Sequence, residues 1–286
     1  MTVPAKKDLM TDEEFSLLKD LVGRELGILL RGDKRLTMHA RISHRLSILG
    51  LPTYREYYDY IRSDSSGDEL YELAAHITNN ETYFFREKMQ LDLFSGLLKE
   101  IKSERQKRNE QKLRILSLAT SSGEEAYSLN IIVQESGLFV WDWDIRITGI
   151  DINRYALEKA REAIYTKNSF RGLNGDGHLV VKYFSSQGDR HVLRRSLTKN
   201  VDFRHGNILN PDSYGGLEPA DFIFCRNVLI YMSDDAIERA VRNFHRLLSE
   251  RGYLFIGASE SLIQKTNLFS PEYRQGAIVY RKKSDV

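Results

Sequence analysis

The run Leu113-Arg-Ile-Leu-Ser-Leu-Ala-Thr-Ser-Ser-Gly-Glu-Glu-Ala-Tyr-Ser-Leu-Asn-Ile-Ile132 constrains the fold more than any other part of the chain. Leu113 to Leu118 reads as an apolar strand, Ala119 to Gly123 as a loop without a bulky side chain, and the remainder as a helix carrying Tyr127, Leu129, Ile131 and Ile132. A second strand, Ile145 to Ile150, follows and is closed by Asp151. Strand, small-residue loop, helix, strand and acid outline a nucleoside-binding α/β unit: small residues let backbone approach a ligand, and the acid accepts hydrogen bonds from ribose hydroxyls.

The first helical turn departs from a dinucleotide site. A helix N-terminus attracts anions, so a pyrophosphate there needs free amides and no competing acid. Glu124 and Glu125 occupy that turn. They would repel a phosphate and suit a ligand with an ammonium group and ribose hydroxyls, such as S-adenosylmethionine. The alternative is that both acids simply complement the helix dipole.

Composition narrows the class. The 286 residues suit one large or two modest domains. A net charge of +2 gives no strong nucleic-acid footprint, so any basic patch must be local, and the single Cys225 allows no internal disulfide, as expected of a cytoplasmic chain. No run has transmembrane length and the N-terminus lacks a signal-peptide core, so no membrane insertion is expected. His and Cys never cluster at metal-ligand spacing, so no metal is expected.

Residues 1 to about 10 read as a loose tail, and the next 70 as four helices without strand signal. Thr11-Asp-Glu-Glu14 is a capping box, the second helix spans about Asp33 to Leu49 before Gly50, Thr53 to Glu56 opens a third, and Asp68 to Ile77 makes a fourth. On the second helix Lys34, Arg41 and Arg45 share a face, which either grips an acidic partner or is solvated surface. The segment Thr78-Asn-Asn-Glu-Thr-Tyr-Phe-Phe-Arg-Glu87 offers Asn80, Thr82 and Arg86 as polar groups and Phe84 and Phe85 as anchors; Thr82 alternatively caps the following helix, expected to reach Lys102 before a solvated stretch, Ser103 to Lys112.

Beyond Asp151 the α/β rhythm breaks at 165 to 199. Asn174-Gly-Asp-Gly177 signals a turn, and Leu179 to Phe184 and His191 to Leu193 read as small strands of an inserted hairpin subdomain. Val201 to His205 resumes the sheet ahead of Asn207 and Ile208. Phe222 to Cys225 is a strand with Arg226, Asn227 and Tyr231 beyond its carboxyl end. Because open α/β sheets bind ligands outside the carboxyl ends of their strands, Asp151, Asn207, Arg226 and Asn227 are expected on one rim. A helix from Asp234, a strand Tyr253 to Ala258 and terminal strands near Leu268 to Ser270 and Ala277 to Arg281 complete seven strands.

Four motifs in order resemble the chemotaxis receptor glutamate methyltransferases, the CheR family: Thr78 to Glu87, Ser121-Ser-Gly-Glu-Glu-Ala-Tyr-Ser128, Asp151-Ile-Asn with Leu157-Glu-Lys-Ala-Arg161, and Phe224-Cys-Arg-Asn-Val-Leu-Ile-Tyr231. Ala126 stands where the family usually has proline, and Asn153 replaces a second aspartate. The resemblance implies a class I S-adenosylmethionine-dependent methyltransferase: a Rossmann-like seven-stranded sheet with an N-terminal all-α domain (1–80), a linker and cofactor-capping helix (81–112), and a methyltransferase domain (113–286) holding an inserted antiparallel β subdomain at about 165–199. It implies methylation of chemoreceptor glutamates, releasing S-adenosylhomocysteine, by a monomer. Arg86 and Tyr231 are then expected at the methyl, Asn80 and Thr82 along the pocket, and Glu124 or Glu125 at the cationic end. Asp151 is expected at the ribose, and Asn207, Ile208, Arg226 and Asn227 at the adenine and methionine portions. Lys34, Arg41 and Arg45 would meet the acidic helical methylation region.

Overall fold

The computed structural model describes residues 9–140, 142–173 and 177–283. Most of the expected N-terminal tail, and Asn174 to Asp176 of the expected turn, lie outside the described residues. The chain divides into two compact units, one of residues 1–79 with 231–237, the other of 80–230 with 238–286.

The first unit is helical: α1 (Asp12–Leu26), α2 (Arg35–Leu49), α3 (Tyr54–Ser63) and α4 (Asp68–Ile77). Local signals set its boundaries. The Thr11 side chain accepts from the Glu14 amide while the Glu14 carboxylate accepts from the Thr11 amide, and Gly27 and Gly50, both at φ 70°, end α1 and α2 in the left-handed region. The second helix starts at Arg35, two residues later than expected, because Asp33 takes the Arg35 amide as a turn outside the helix. Leu18, Leu21, Val22, Met38, Ile42, Leu46, Tyr57 and Leu73 form its buried interior. Each buried apolar side chain there contributes about 1.5–3 kcal/mol.

The second unit holds α5 (Lys88–Lys107), β1 (Lys112–Leu118), α6 (Glu124–Glu135), β2 (Asp144–Asp151), α7 (Arg154–Glu162), β3 (Ile164–Thr166), α8 (Gly177–Tyr183), β4 (Phe184–Gln187), β5 (Arg190–Leu193), α9 (Arg195–Thr198), β6 (Val201–His205) and β7 (Ala220–Cys225). Helix α10 (Asp234–Leu247), whose first residues belong to the first unit, leads into β8 (Leu248–Ile256), β9 (Phe269–Arg274) and β10 (Ala277–Lys282). Seven strands run in the order β6-β2-β1-β7-β8-β10-β9, parallel from β6 to β8, with an antiparallel terminal hairpin. Strands β3, β5 and β4 make a separate antiparallel sheet, as the inserted subdomain required.

Strand β8 starts at Leu248, five residues before the expected Tyr253, and two further segments differ from the sequence reading. Leu179 to Tyr183 lies in helix α8, and only Phe184 onward is strand. Helix α5 runs five residues past Lys102, because Arg105 is buried and pairs with Asp221 at 2.7 Å and with Glu110. A stretch that is charged in sequence is therefore partly interior.

All of β1 from Leu113 to Leu118 is buried, as befits a central parallel strand covered on both faces. Phe94 of α5 sets its edge on Phe222 and Phe224 at 4.8 and 5.3 Å, and Phe224 stacks on Phe255 at 4.5 Å. Strand β1 connects through α6 to β2 on one side, and β7 connects through α10 to β8 on the other. The order reverses between β1 and β7, and open α/β sheets bind their ligands outside the carboxyl ends of the strands at such a switch point.

Candidate active site

The loop after β1 turns by left-handed residues: Ala119, Ser121 and Gly123 have φ of 56°, 53° and 88°. Gly123 is also forced by packing, since a Cβ there would meet the Ala160 Cβ at 2.8 Å and the Phe203 ring at 2.9 Å. Asp151, at the end of β2, pins this loop. Its carboxylate accepts from the Ser121 amide at 2.7 Å and the Asn153 amide at 2.8 Å, and burial pushes its pKa up against those bonds. The Ile152 amide bonds it as well, so three of a carboxylate's roughly four acceptor positions are taken by backbone.

The two glutamates of the α6 first turn separate. Glu124 is buried at 3% exposure, and its carboxylate accepts from the Ser122 hydroxyl at 2.7 Å and the Ser169 hydroxyl at 3.0 Å. Burial raises its pKa. Glu125 accepts from the Ser117 hydroxyl and from Arg226 Nε, both at 2.7 Å, which ties the end of β1 to the end of β7. Both carboxylates are engaged inside the unit: Glu124 turns to Ser169 of the inserted segment, and Glu125 turns to Arg226 beyond β7.

Arg226 is a hub. Its Nη1 donates to the Arg86 carbonyl at 2.8 Å and reaches the Gln90 oxygen at 3.4 Å and Glu87 at 3.5 Å. Asn227, held at φ 58°, donates through Nδ2 to Glu87 at 2.9 Å. Glu260 accepts from the amides of Gly257, Asn227 and Ile230. Glu87, Gln90 and Glu260 carry this network and were absent from the sequence reading. Glu87 closed a motif already singled out, whereas no sequence signal tied Glu260 to Asn227.

Segment 80–87 is irregular and anchored by aromatic packing. Phe84 stacks on Phe170 at 5.1 Å and meets Tyr165 and Phe184 edge-on, and its amide donates to the Ser169 carbonyl at 2.8 Å. The Phe85 amide donates to the Ser128 hydroxyl at 3.0 Å. Phe85 and Glu87, at φ 59° and 57°, flank Arg86, whose Nη1 donates to the Glu81 carbonyl at 3.0 Å. The Asn80 carbonyl accepts from the Ser121 hydroxyl, joining the segment to the β1 loop. Thr82 is half-buried and does not cap α5: the residue at that cap is Glu87, which makes no side-chain cap bond.

Asn207 and Ile208 follow β6. The Asn207 side chain accepts from the Leu209 amide, and the Ile208 carbonyl accepts from Tyr214 and Asn243. The structure thus brings Glu125, Asp151, Asn207, Arg226 and Asn227 to the carboxyl ends of β1, β2, β6 and β7. Tyr231, 45% exposed, belongs to the other unit, where its carbonyl accepts from the Leu29 amide.

The cationic face of α2 is smaller than its sequence implies. Arg45 makes a two-point pair with buried Glu69, at 2.9 and 2.5 Å, and Tyr57 donates to the same carboxylate. That guanidinium is a structural group, and the proposed partner surface loses it. Arg41 is exposed and donates through Nη1 to the Ile77 carbonyl at the end of α4, while Lys34 is exposed ahead of α2.

The donor set fits S-adenosylmethionine. Carboxylates and amide groups at the switch point suit an ammonium group, ribose hydroxyls and an adenine edge, and acids there disfavour a phosphate. Among the described residues no group of His, Cys, Asp and Glu is arranged to hold a metal, and no helix is long and apolar enough to cross a membrane.

Residues 80–277 match the family described as CheR methyltransferase, SAM binding domain, and residues 13–78 the family described as CheR methyltransferase, all-alpha domain. The chain is 34% identical to chemotaxis protein methyltransferase 2 of Vibrio cholerae, over 91% of this chain and 90% of that one. It is 30% identical to the chemotaxis protein methyltransferase of Salmonella typhimurium, over 96% and 92%. A probable biofilm formation methyltransferase of Pseudomonas aeruginosa, WspC, is 29% identical over 96% of this chain and 63% of that one. With an all-α domain, a class I methyltransferase sheet and an inserted β subdomain in one chain, this protein belongs to the CheR methyltransferase family.

Proposed function

We propose that the chain methylates glutamate side-chain carboxylates of a chemoreceptor cytoplasmic region, using S-adenosylmethionine as donor. The observation that carries the reading is the rim of acids and amides at the β1/β7 switch point. S-adenosylmethionine supplies an electrophilic methyl group on a sulfonium. Glu125 faces its cationic end, Asp151 takes ribose hydroxyls, and Asn207, Ile208, Arg226 and Asn227 line the rest, with Asn80 and Thr82 along the pocket.

A substrate glutamate is already ionised at neutral pH, its ordinary pKa being about 4.3, so the nucleophile needs no general base. The remaining work is alignment and exclusion of water. Arg86 and Tyr231 orient the substrate carboxylate. Arg86 suits this role because its backbone is fixed between two left-handed residues and its carbonyl is held by Arg226. Lys34 and Arg41 steer the acidic receptor helices.

The test is incubation with tritiated S-adenosylmethionine and receptor-containing membranes. Base-labile label on the receptor is expected, and label that survives alkali excludes a carboxyl ester. Similarity to a biofilm-formation methyltransferase favours a second reading, in which the acceptor is a signalling protein outside chemotaxis; label appearing on such a protein and not on chemoreceptors would select it.

A further inference from the structure

Glu260 makes an arrangement that the proposed reaction does not by itself require. It lies in the loop after β8, and both of its carboxylate oxygens accept backbone amides. Oε2 takes Gly257 at 2.6 Å and Asn227 at 3.0 Å, while Oε1 takes Ile230 at 3.1 Å. The Leu229 amide faces it as well. One side chain thereby satisfies three amides of the turn that leaves β7, those of Asn227, Leu229 and Ile230.

That turn needs holding. Asn227 sits at φ 58°, in the left-handed region that non-glycine residues seldom adopt. The fit is close on the β8 side: a Cβ on Gly257 would lie 2.8 Å from the Asn227 amide nitrogen, from Asn227 Nδ2 and from Glu260 Oε2. Glu87 also holds this turn, accepting from Asn227 Nδ2 and from the Ala258 amide. Burial pushes the Glu260 pKa up while the backbone amides pull it down, and amide hydrogen bonds to an ionised acceptor are stronger than neutral ones.

We propose that Glu260 is a positioning residue: it fixes the turn that carries Asn227, and through that turn it sets the affinity of the site for the cofactor. The inference rests on the proposed placement of Asn227 against S-adenosylmethionine. It adds a residue that touches neither cofactor nor substrate.

Glu260→Gln tests it with little change of shape. The amide keeps one accepting oxygen and turns an NH2 donor toward backbone N–H groups, so part of the clamp is lost. Dissociation constants for S-adenosylhomocysteine are measured by calorimetry, and amide exchange is followed by mass spectrometry. The expected result is about a tenfold weaker affinity, the equivalent of one lost hydrogen bond of ordinary strength. Faster exchange is expected at Asn227, Leu229, Ile230 and Gly257, with protection in β1 and β2 unchanged. The KM for S-adenosylmethionine should rise in step while kcat changes less. Gly257→Ala, which keeps the carboxylate but intrudes on the turn, should weaken affinity in the same way.

Two outcomes overturn the proposal: Glu260→Gln affinity within twofold of the parent with the turn still protected, or exchange accelerated throughout the sheet, which would make Glu260 a general stability residue. A parent protein that binds S-adenosylhomocysteine yet leaves receptors unlabelled would overturn the proposed function and leave this inference standing.

Discussion

Replacing Glu125 with methionine removes the nearest carboxylate of a guanidinium whose side chain is only 3% exposed. At an effective dielectric constant near 20, the Coulomb attraction is about 6 kcal/mol for the 2.7 Å Glu125–Arg226 pair and about 5 kcal/mol for the 3.5 Å Glu87–Arg226 pair. Desolvation offsets most of either attraction, and breaking a buried pair from one side costs about 3–5 kcal/mol. Glu87 remains as a partner, which puts Glu125→Met at the lower end, about 3 kcal/mol. The Arg226→Met variant also removes one donor each from Glu87, Gln90 and the Arg86 carbonyl, so it should cost more. The double variant should recover about 2–3 kcal/mol relative to the sum of the singles, as expected of residues in one network. Urea denaturation of the four proteins, followed by circular dichroism, measures the cycle. Losses that add to within about 0.5 kcal/mol would refute the coupling. Cofactor affinity offers a separate reading: if Glu125 meets the ammonium group directly, S-adenosylhomocysteine binding stays weak in the double variant even where stability is partly recovered.

Three further outcomes are expected. Glu124→Gln should keep cofactor affinity within about threefold and alter the pH profile of stability: a carboxyl whose folded pKa is raised by burial contributes stability that is fully present below the ordinary carboxylate range and lost as pH rises through the folded pKa. Urea midpoints of the variant should therefore gain on the parent as pH rises from about 4 toward neutrality, and parallel profiles would contradict this. Arg41→Glu should raise the KM for receptor membranes several-fold and leave S-adenosylhomocysteine affinity unchanged; equal loss of both would sink the steering role. Arg45→Glu, by contrast, puts a second acid against buried Glu69 and should lower stability by about 3–5 kcal/mol, read by thermal denaturation.

The elements most legible in the sequence were those written in local chemistry. The capping box at Thr11 to Glu14, the glycines that end α1 and α2, and the apolar run of β1 all act within a few residues, and each appears where its spacing placed it. The strand readings placed Asp151, Asn207, Arg226 and Asn227 at or just beyond strand ends, and β2, β6 and β7 end there. Less legible were segments whose state depends on a distant partner. Ser103 to Lys107 reads as solvated by charge and is helical because Arg105 finds Asp221, more than a hundred residues on. Leu179 to Tyr183 reads as strand from its β-branched and aromatic residues and is helix α8 instead.

The loop and helix from Leu113 to Ile132 carry both lessons. Sequence alone determined that two acids stand in the first turn of α6, and that small residues precede them. Only the tertiary structure decided which acid faces which partner. Adjacent helical residues point about 100° apart, so Glu124 turns to Ser169 in the inserted segment while Glu125 turns to Arg226 beyond β7. The same holds for Glu260, which meets the Asn227 turn only because β8 lies beside β7. Strand order is set by burying whole faces of the sheet, a condition that no single stretch of sequence expresses.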